Sequence, residues 1–200
     1  MRAMKVLKCA VLTCVVLGSA IAGSSTASAT INYLTNASFE AGDLSGWTWT
    51  GNNGATYVYP TTSGYGAQDG SYYLYEGPVG SDGILSQTFS DTPGQTLTIS
   101  GWVAGNGTAP SDVNFLFNGV SHVAINPVPY QPWTQYTFNV TATGMDTFAV
   151  SFRNDPSYNG LDNFKVASAP EPSTYMLLGI GGLLAAVRLR KSRLLSAFST

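Results

Sequence analysis

The chain has 200 residues, 44% of them hydrophobic and only 10% charged, and a formal net charge of −2. That figure hides an asymmetry: residues 30–169 hold ten acidic side chains against two basic ones, Arg153 and Lys165, a net charge of −8. Such a surface argues against nucleic acid, whose binding rests on cationic contacts with phosphates, and suits neutral sugar or divalent cations better. At the N-terminus, Arg2, Lys5 and Lys8 precede an apolar run at 9–22, and Ala27-Ser28-Ala29 offers small residues for signal peptidase to cut before Thr30. Residues 1–29 therefore read as a signal peptide with a helical core. Both cysteines, Cys9 and Cys14, leave with it. An exported domain without disulfides must be held by its core, with a metal as an added option.

Residues 30–169 suffice for one domain with a sizeable core. Alternating or β-branched runs predict strands at 46–50, 55–59, 71–75, 84–89, 96–103, 113–118, 133–141, 147–153 and 160–166. Turns are marked by Gly51-Asn52-Asn53-Gly54, Pro93-Gly94, Asn118-Gly119 and Asn159-Gly160. No 3.6-residue stripe is sustained between the termini. Nine short strands at this spacing predict an all-β, two-sheet sandwich of jelly-roll type. Alternation places Leu97, Ile99 and Val103 on a core face, with Tyr136, Phe138, Val140, Phe148, Val150 and Phe152 also inward. Trp102, Tyr73 and Tyr75 fall opposite, with Trp49, Tyr57 and Tyr59 as weaker companions.

The tail reads Pro170-Glu171-Pro172, then a 15-residue apolar run at 173–187, then Arg188, Arg190, Lys191 and Arg193. As a helix the run is about 22 Å long against a hydrocarbon core of about 30 Å, a marginal span. The cations stop translocation and leave the preceding chain outside. These three parts in this order resemble the PEP-CTERM sorting tail. The resemblance implies processing near Pro170-Glu171-Pro172 by an exosortase-type enzyme. It also implies transient anchoring of residues 170–200 in the inner membrane, then release to the envelope, the surface or an exopolysaccharide matrix.

Within the mature domain, Asn36-Ala37-Ser38-Phe39-Glu40 is followed by Gly46-Trp47, Asp69-Gly70-Ser71-Tyr72-Tyr73-Leu74, Pro93-Gly94-Gln95-Thr96-Leu97, Trp133 and Leu161-Asp162-Asn163-Phe164-Lys165-Val166. This order resembles the galactose-binding-like jelly rolls that include many carbohydrate-binding modules. The resemblance implies that the first and last strands lie together around a structural calcium. Its ligands would be Glu40, Asp162 and carbonyls of Ser38 and Ser71, a hard-oxygen set that suits calcium. The plain alternative is that Glu40 caps a turn and Asp162 accepts backbone hydrogens.

Modules of this fold hold sugars on aromatic rings, which makes Trp102, Trp49, Tyr73 and Tyr75 the candidate platform, with Asn114 and Gln87 as hydrogen-bond partners. Trp47 and Trp133 are read as core. The competing reading is that tyrosine and tryptophan are simply good strand formers. Catalysis finds little support. His122 is the only histidine, no nucleophile motif accompanies it, and Asp43, Glu76, Asp82, Asp112 and Asp155 show no pairing. The expectation is a non-catalytic exported protein making weak glycan contacts. A purely structural matrix protein and a small glycan-active enzyme are the alternatives.

Overall fold

The structure is a computed structural model that describes residues 31–169. The expected signal helix with Ala27 and Ala29, the Pro170-Glu171-Pro172 motif, the sorting helix and the basic stop lie outside those residues. Ten strands form: β1 (Thr48–Gly51), β2 (Thr56–Pro60), β3 (Tyr72–Glu76), β4 (Gly83–Ser90), β5 (Thr96–Asn106), β6 (Ser111–Phe117), β7 (Val120–Ile125), β8 (Tyr130–Thr141), β9 (Met145–Asn154) and β10 (Asn159–Ser168). They pair antiparallel into two sheets, ordered β1-β4-β9-β6-β7 and β2-β3-β10-β5-β8. The all-β sandwich is the expected one, and nine strands answer the nine expected. The tenth, β7, follows from its turn. Asn118 and Gly119 both take positive φ (49° and 78°), which folds Val120 back onto Phe117 as a two-residue hairpin.

Between the sheets lies a cluster of rings. Phe164 on β10 is its hub, 5.5 to 6.1 Å from Phe148, Phe115, Trp47 and Phe39 by ring centroids. Leu97, Ile99 and Val103 are fully buried beside it, and Tyr136, Phe138 and Val140 on edge strand β8 pack half-buried against it. Phe164 comes so close to β5 that Gly101 has no room for a side chain: a Cβ there would lie 2.4 Å from its ring. His122 stacks on Phe138 (4.7 Å, 6°) and so closes an edge of the sandwich.

The segment before β1 laces the two sheets together. Inward-facing Gln87 on β4 accepts from the Thr35 backbone N–H (3.0 Å) and donates to its carbonyl (2.7 Å). On the other side Tyr33 N–H donates to the Val166 carbonyl, and Phe164 N–H to that of Ala37. The Asn36 carbonyl takes the Trp47 indole N–H (3.0 Å), which explains why the Asn-x-x-Phe-Glu and Gly-Trp phrases occur together. Phe39 holds φ at +58°, an uncommon conformation for a bulky residue, while its ring enters the core and Glu40 turns outward.

Among the fully buried carboxyls, Glu76 stands out. Glu76, at the end of β3, is fully buried, accepts one hydrogen bond from Asn159 Nδ2 (2.6 Å), and has no partner for Oε2. Burial pushes its carboxyl well above the usual range, so the neutral acid is the comfortable form. A carboxyl raised by folding supports the native state below its unfolded pKa, and that support drains away as pH rises through the folded value. Glu76→Gln is expected to raise the thermal midpoint at pH 8 and leave it nearly unchanged at pH 4, measured by calorimetry. Gly101→Ala is expected to cost about 1–3 kcal/mol by overpacking, read from chemical denaturation.

Candidate functional site

Period-2 alternation gives the second sheet an outer face with two characters. Tyr57 and Tyr59 on β2, Tyr73 and Tyr75 on β3, and Trp133 on β8 occupy one half. Neighbours run from Tyr57 to Tyr59 (5.9 Å), Tyr59 to Tyr75 (4.8 Å), and Tyr75 to Tyr158 (4.3 Å, 10° between planes). Tyr65, from the loop after β2, joins Tyr75 (6.1 Å) to Trp133 (6.2 Å). The other half is polar. Register sets Trp102 beside Asp162 and Gln135, and Ser100 beside Lys165 and Thr137. Tyr57 is 50% exposed, and Tyr130, near Tyr65 at the start of β8, is 85% exposed.

The loop at 61–71 crosses this face as a strap. It covers Tyr73, whose hydroxyl donates to the Ser63 carbonyl (2.8 Å) and accepts from Tyr65 N–H (3.0 Å). The Tyr65 hydroxyl donates to the Tyr158 carbonyl (2.9 Å), and burial pushes its pKa up to about 12, so it stays protonated. Trp133 Nε1–H donates to the Gly66 carbonyl (3.1 Å).

Two carboxylates pin the strap. Asp162 Oδ2 accepts from the N–H groups of Gln68 (2.8 Å) and Asp69 (3.1 Å), while Oδ1 accepts from Ser38 Oγ (2.9 Å) and Asn163 N–H (2.6 Å). Glu40 takes Ser71 N–H on both oxygens and Tyr72 N–H on Oε1, each at 2.9 Å. Asp162 is fully buried, and burial raises its carboxyl to about 6 against the four donors, leaving it ionised at neutral pH.

Several expected site residues fall elsewhere. Trp102 and Tyr75 do lie on the outer face. Tyr73 shares it but is fully buried under the strap, so it supports the rings above rather than meeting a ligand. Trp49 belongs to the first sheet, pairs with Leu85 and packs against the core, because it shares the parity of buried Trp47. Trp133, expected in the core, stands on the outer face. Gln87 is spent on Thr35, and Asn114 lies on the opposite sheet, bonded to Asp112 and Ser151. Tyr65, Tyr158 and Tyr130 were missed; the first two sit in loops, where no periodicity reports a face.

Residues 31–157 match the family described as a carbohydrate binding domain. The chain belongs to that family. Among solved structures, TmCBM61, determined with β-1,4-galactotriose, is similar at 22% identity and a TM-score of 0.59. That match covers 70% of this chain and 99% of the other. The CBM22-1 xylan-binding domain of Paenibacillus barcinonensis Xyn10C is similar at 23% identity and 0.50, covering 73% and 99%. At these identities the likeness concerns the fold, a jelly-roll sandwich. No curated protein matches in sequence. A PEP-CTERM protein-sorting motif matches residues 168–191, a mark of export and sorting to the cell surface.

The calcium implied by the family resemblance meets a donor set that does not suit it. A cation needs oxygen lone pairs, yet Asp162 and Glu40 receive hydrogens and the Ser71 carbonyl already accepts from Thr61 N–H. Ser38 meets Asp162 as a hydroxyl donor. Among the described residues, no three His, Cys, Asp or Glu side chains gather into a metal-binding group.

The ring half of the face depends on the flat floor at Gly160, where a Cβ would lie 2.8 Å from Trp133 and 3.0 Å from Tyr65. Gly160→Ala is expected to displace both rings, visible as changed near-UV circular dichroism and tryptophan emission, at a cost on the order of 1–3 kcal/mol.

Proposed function

We propose that this chain is an exported, non-catalytic protein of the cell envelope or surface that holds glycan on the outer face of its second sheet. The observation that carries the reading is the array of rings on that face, with Tyr57 half exposed at one edge and Trp102 beside Gln135 on the polar half. Rings meet the apolar faces of sugar units, while Gln135, Thr137 and Asn139 can bond their hydroxyls. Membership in a carbohydrate-binding family supports the ligand class. The charge of −8 disfavours acidic polymers and leaves neutral chains as the better fit. In this reading signal peptidase removes residues 1–29, an exosortase-type enzyme cuts near Pro170, and the domain works in an exopolysaccharide setting.

A structural role without a ligand has one observation in its favour. Tyr75 and Tyr158 stack face to face, so part of the array is satisfied by its own neighbours. Glycan arrays and calorimetry on the purified protein separate the readings, starting with β-1,4-galacto-oligosaccharides and xylan. Trp102→Ala and Tyr57→Ala are each expected to weaken binding at least tenfold, about 1.4 kcal/mol, without moving the thermal midpoint. Trp49→Ala is expected to lower stability instead. Binding unaffected by Trp102→Ala and Tyr57→Ala would remove the proposed face, and no binding to any glycan would favour the structural role. Mass spectrometry of the mature protein checks the sorting step, with a C-terminus near Pro170 expected and one at Thr200 counting against cleavage.

A further inference from the structure

We infer that a pair of carboxylate–amide clamps stands in this fold where the family resemblance implies a structural calcium, and that they hold the ring face in place without a cation. An ionised carboxylate offers about four lone-pair positions. At Asp162 all four are filled: Gln68 and Asp69 N–H on one oxygen, Ser38 Oγ–H and Asn163 N–H on the other. At Glu40 three are filled, by Ser71 N–H on both oxygens and Tyr72 N–H on one. Calcium takes six to eight oxygens, and here the positive ends of N–H dipoles already occupy the approaches. The local backbone is shaped for the clamp. Gly70 sits at φ +68° with its missing Cβ position 2.3 Å from the Glu40 carboxyl carbon, so only glycine lets that carboxylate reach the two amides beyond it.

The two clamps grip successive parts of one strap. Asp162 holds it at 68–69 and Glu40 at 71–72. Between them they fix the loop that buries Tyr73 and carries Tyr65 and the Gly66 carbonyl to Trp133. Charge-assisted bonds of this kind are stronger than neutral ones, and these are shielded from water at Asp162. Asp162 and Glu40 are thus positioning residues for the ring face. The inference concerns how that face is held, and stands or falls independently of whether it binds glycan.

The test uses the purified full-length protein and follows its melt and its amide hydrogen exchange with excess EDTA or excess calcium chloride. The thermal midpoint is expected to be the same in both, with slow exchange at Gln68, Asp69, Ser71, Tyr72 and Asn163 in both. A midpoint that falls in EDTA or rises with calcium overturns the inference, as do freely exchanging amides at those five residues. Substitution then separates the clamps. In Asp162→Ala no acceptor remains, so Gln68 and Asp69 are expected to exchange at least tenfold faster while Tyr72 keeps its protection. Glu40→Ala is expected to free the amides at 71–72 and spare those at 68–69. Uniform loss of protection in both variants would show the strap to be held in some other way. Should Asp162→Ala fail to fold, the exchange of the unaltered protein with and without EDTA still decides.

Discussion

The structure turns on a break in register within the last strand. Between Asp162 and Lys165 the pairing of β10 with β5 shifts, and Asn163 takes a positive φ of 48°. An extra residue at a bulge re-aims its neighbours. Here Asp162 points to the outer face and Phe164 enters the core, so adjacent parts of one phrase do opposite work. Phe164 gathers the rings that hold the sheets together. Asp162 gathers the backbone amides that hold the strap down. Without the shift, strict alternation would place Asp162 and Phe164 on the same face, and one of the two roles would be lost.

From that constraint the candidate site follows in steps. The opening segment bonds to β10 on one side and to Gln87 on the other, which brings Glu40 alongside Asp162's strap. The strap roofs Tyr73, and the roofed ring gives Trp133, Tyr59 and Tyr75 a firm bed. Rings presented in this way lose little freedom when they meet a ligand, which is the advantage of mounting a binding surface on strands. The first sheet offers a contrast. Its outer face carries Ser86, Asn114, Ser151 and Arg153 on central strands, the last paired with Asp155.

Much of the fold could be read from residues in order. The strand positions were legible because alternation and turn chemistry are local, and β7 alone was not among those expected. Two misplacements had a usable signal. Trp49 shares parity with Trp47, and Trp133 opposes Tyr136 and Phe138, so alternation alone assigns the first inward and the second outward. The family phrase containing Trp133 pulled the other way. The carboxylates are a different case. Glu40 and Asp162 were expected together as calcium ligands, and both lie against the strap. What they bind depends on whether hydrogens or carbonyl oxygens of the strap point at them.

By itself the sequence determined the strand-and-turn pattern, the acidic and cysteine-free character of residues 30–169, and the sorting motif at 168–191. Each of these is set by composition or by neighbours a few positions apart. Tertiary structure alone decided which sheet each strand joined, which aromatic face was roofed, and what each carboxylate bonded. Asp162 and Gln68 are separated by 94 positions, and Tyr65 and Tyr158 by 93. No local period encodes such pairs. They meet only when burial of the ring core closes the sandwich and brings the strap across its second sheet.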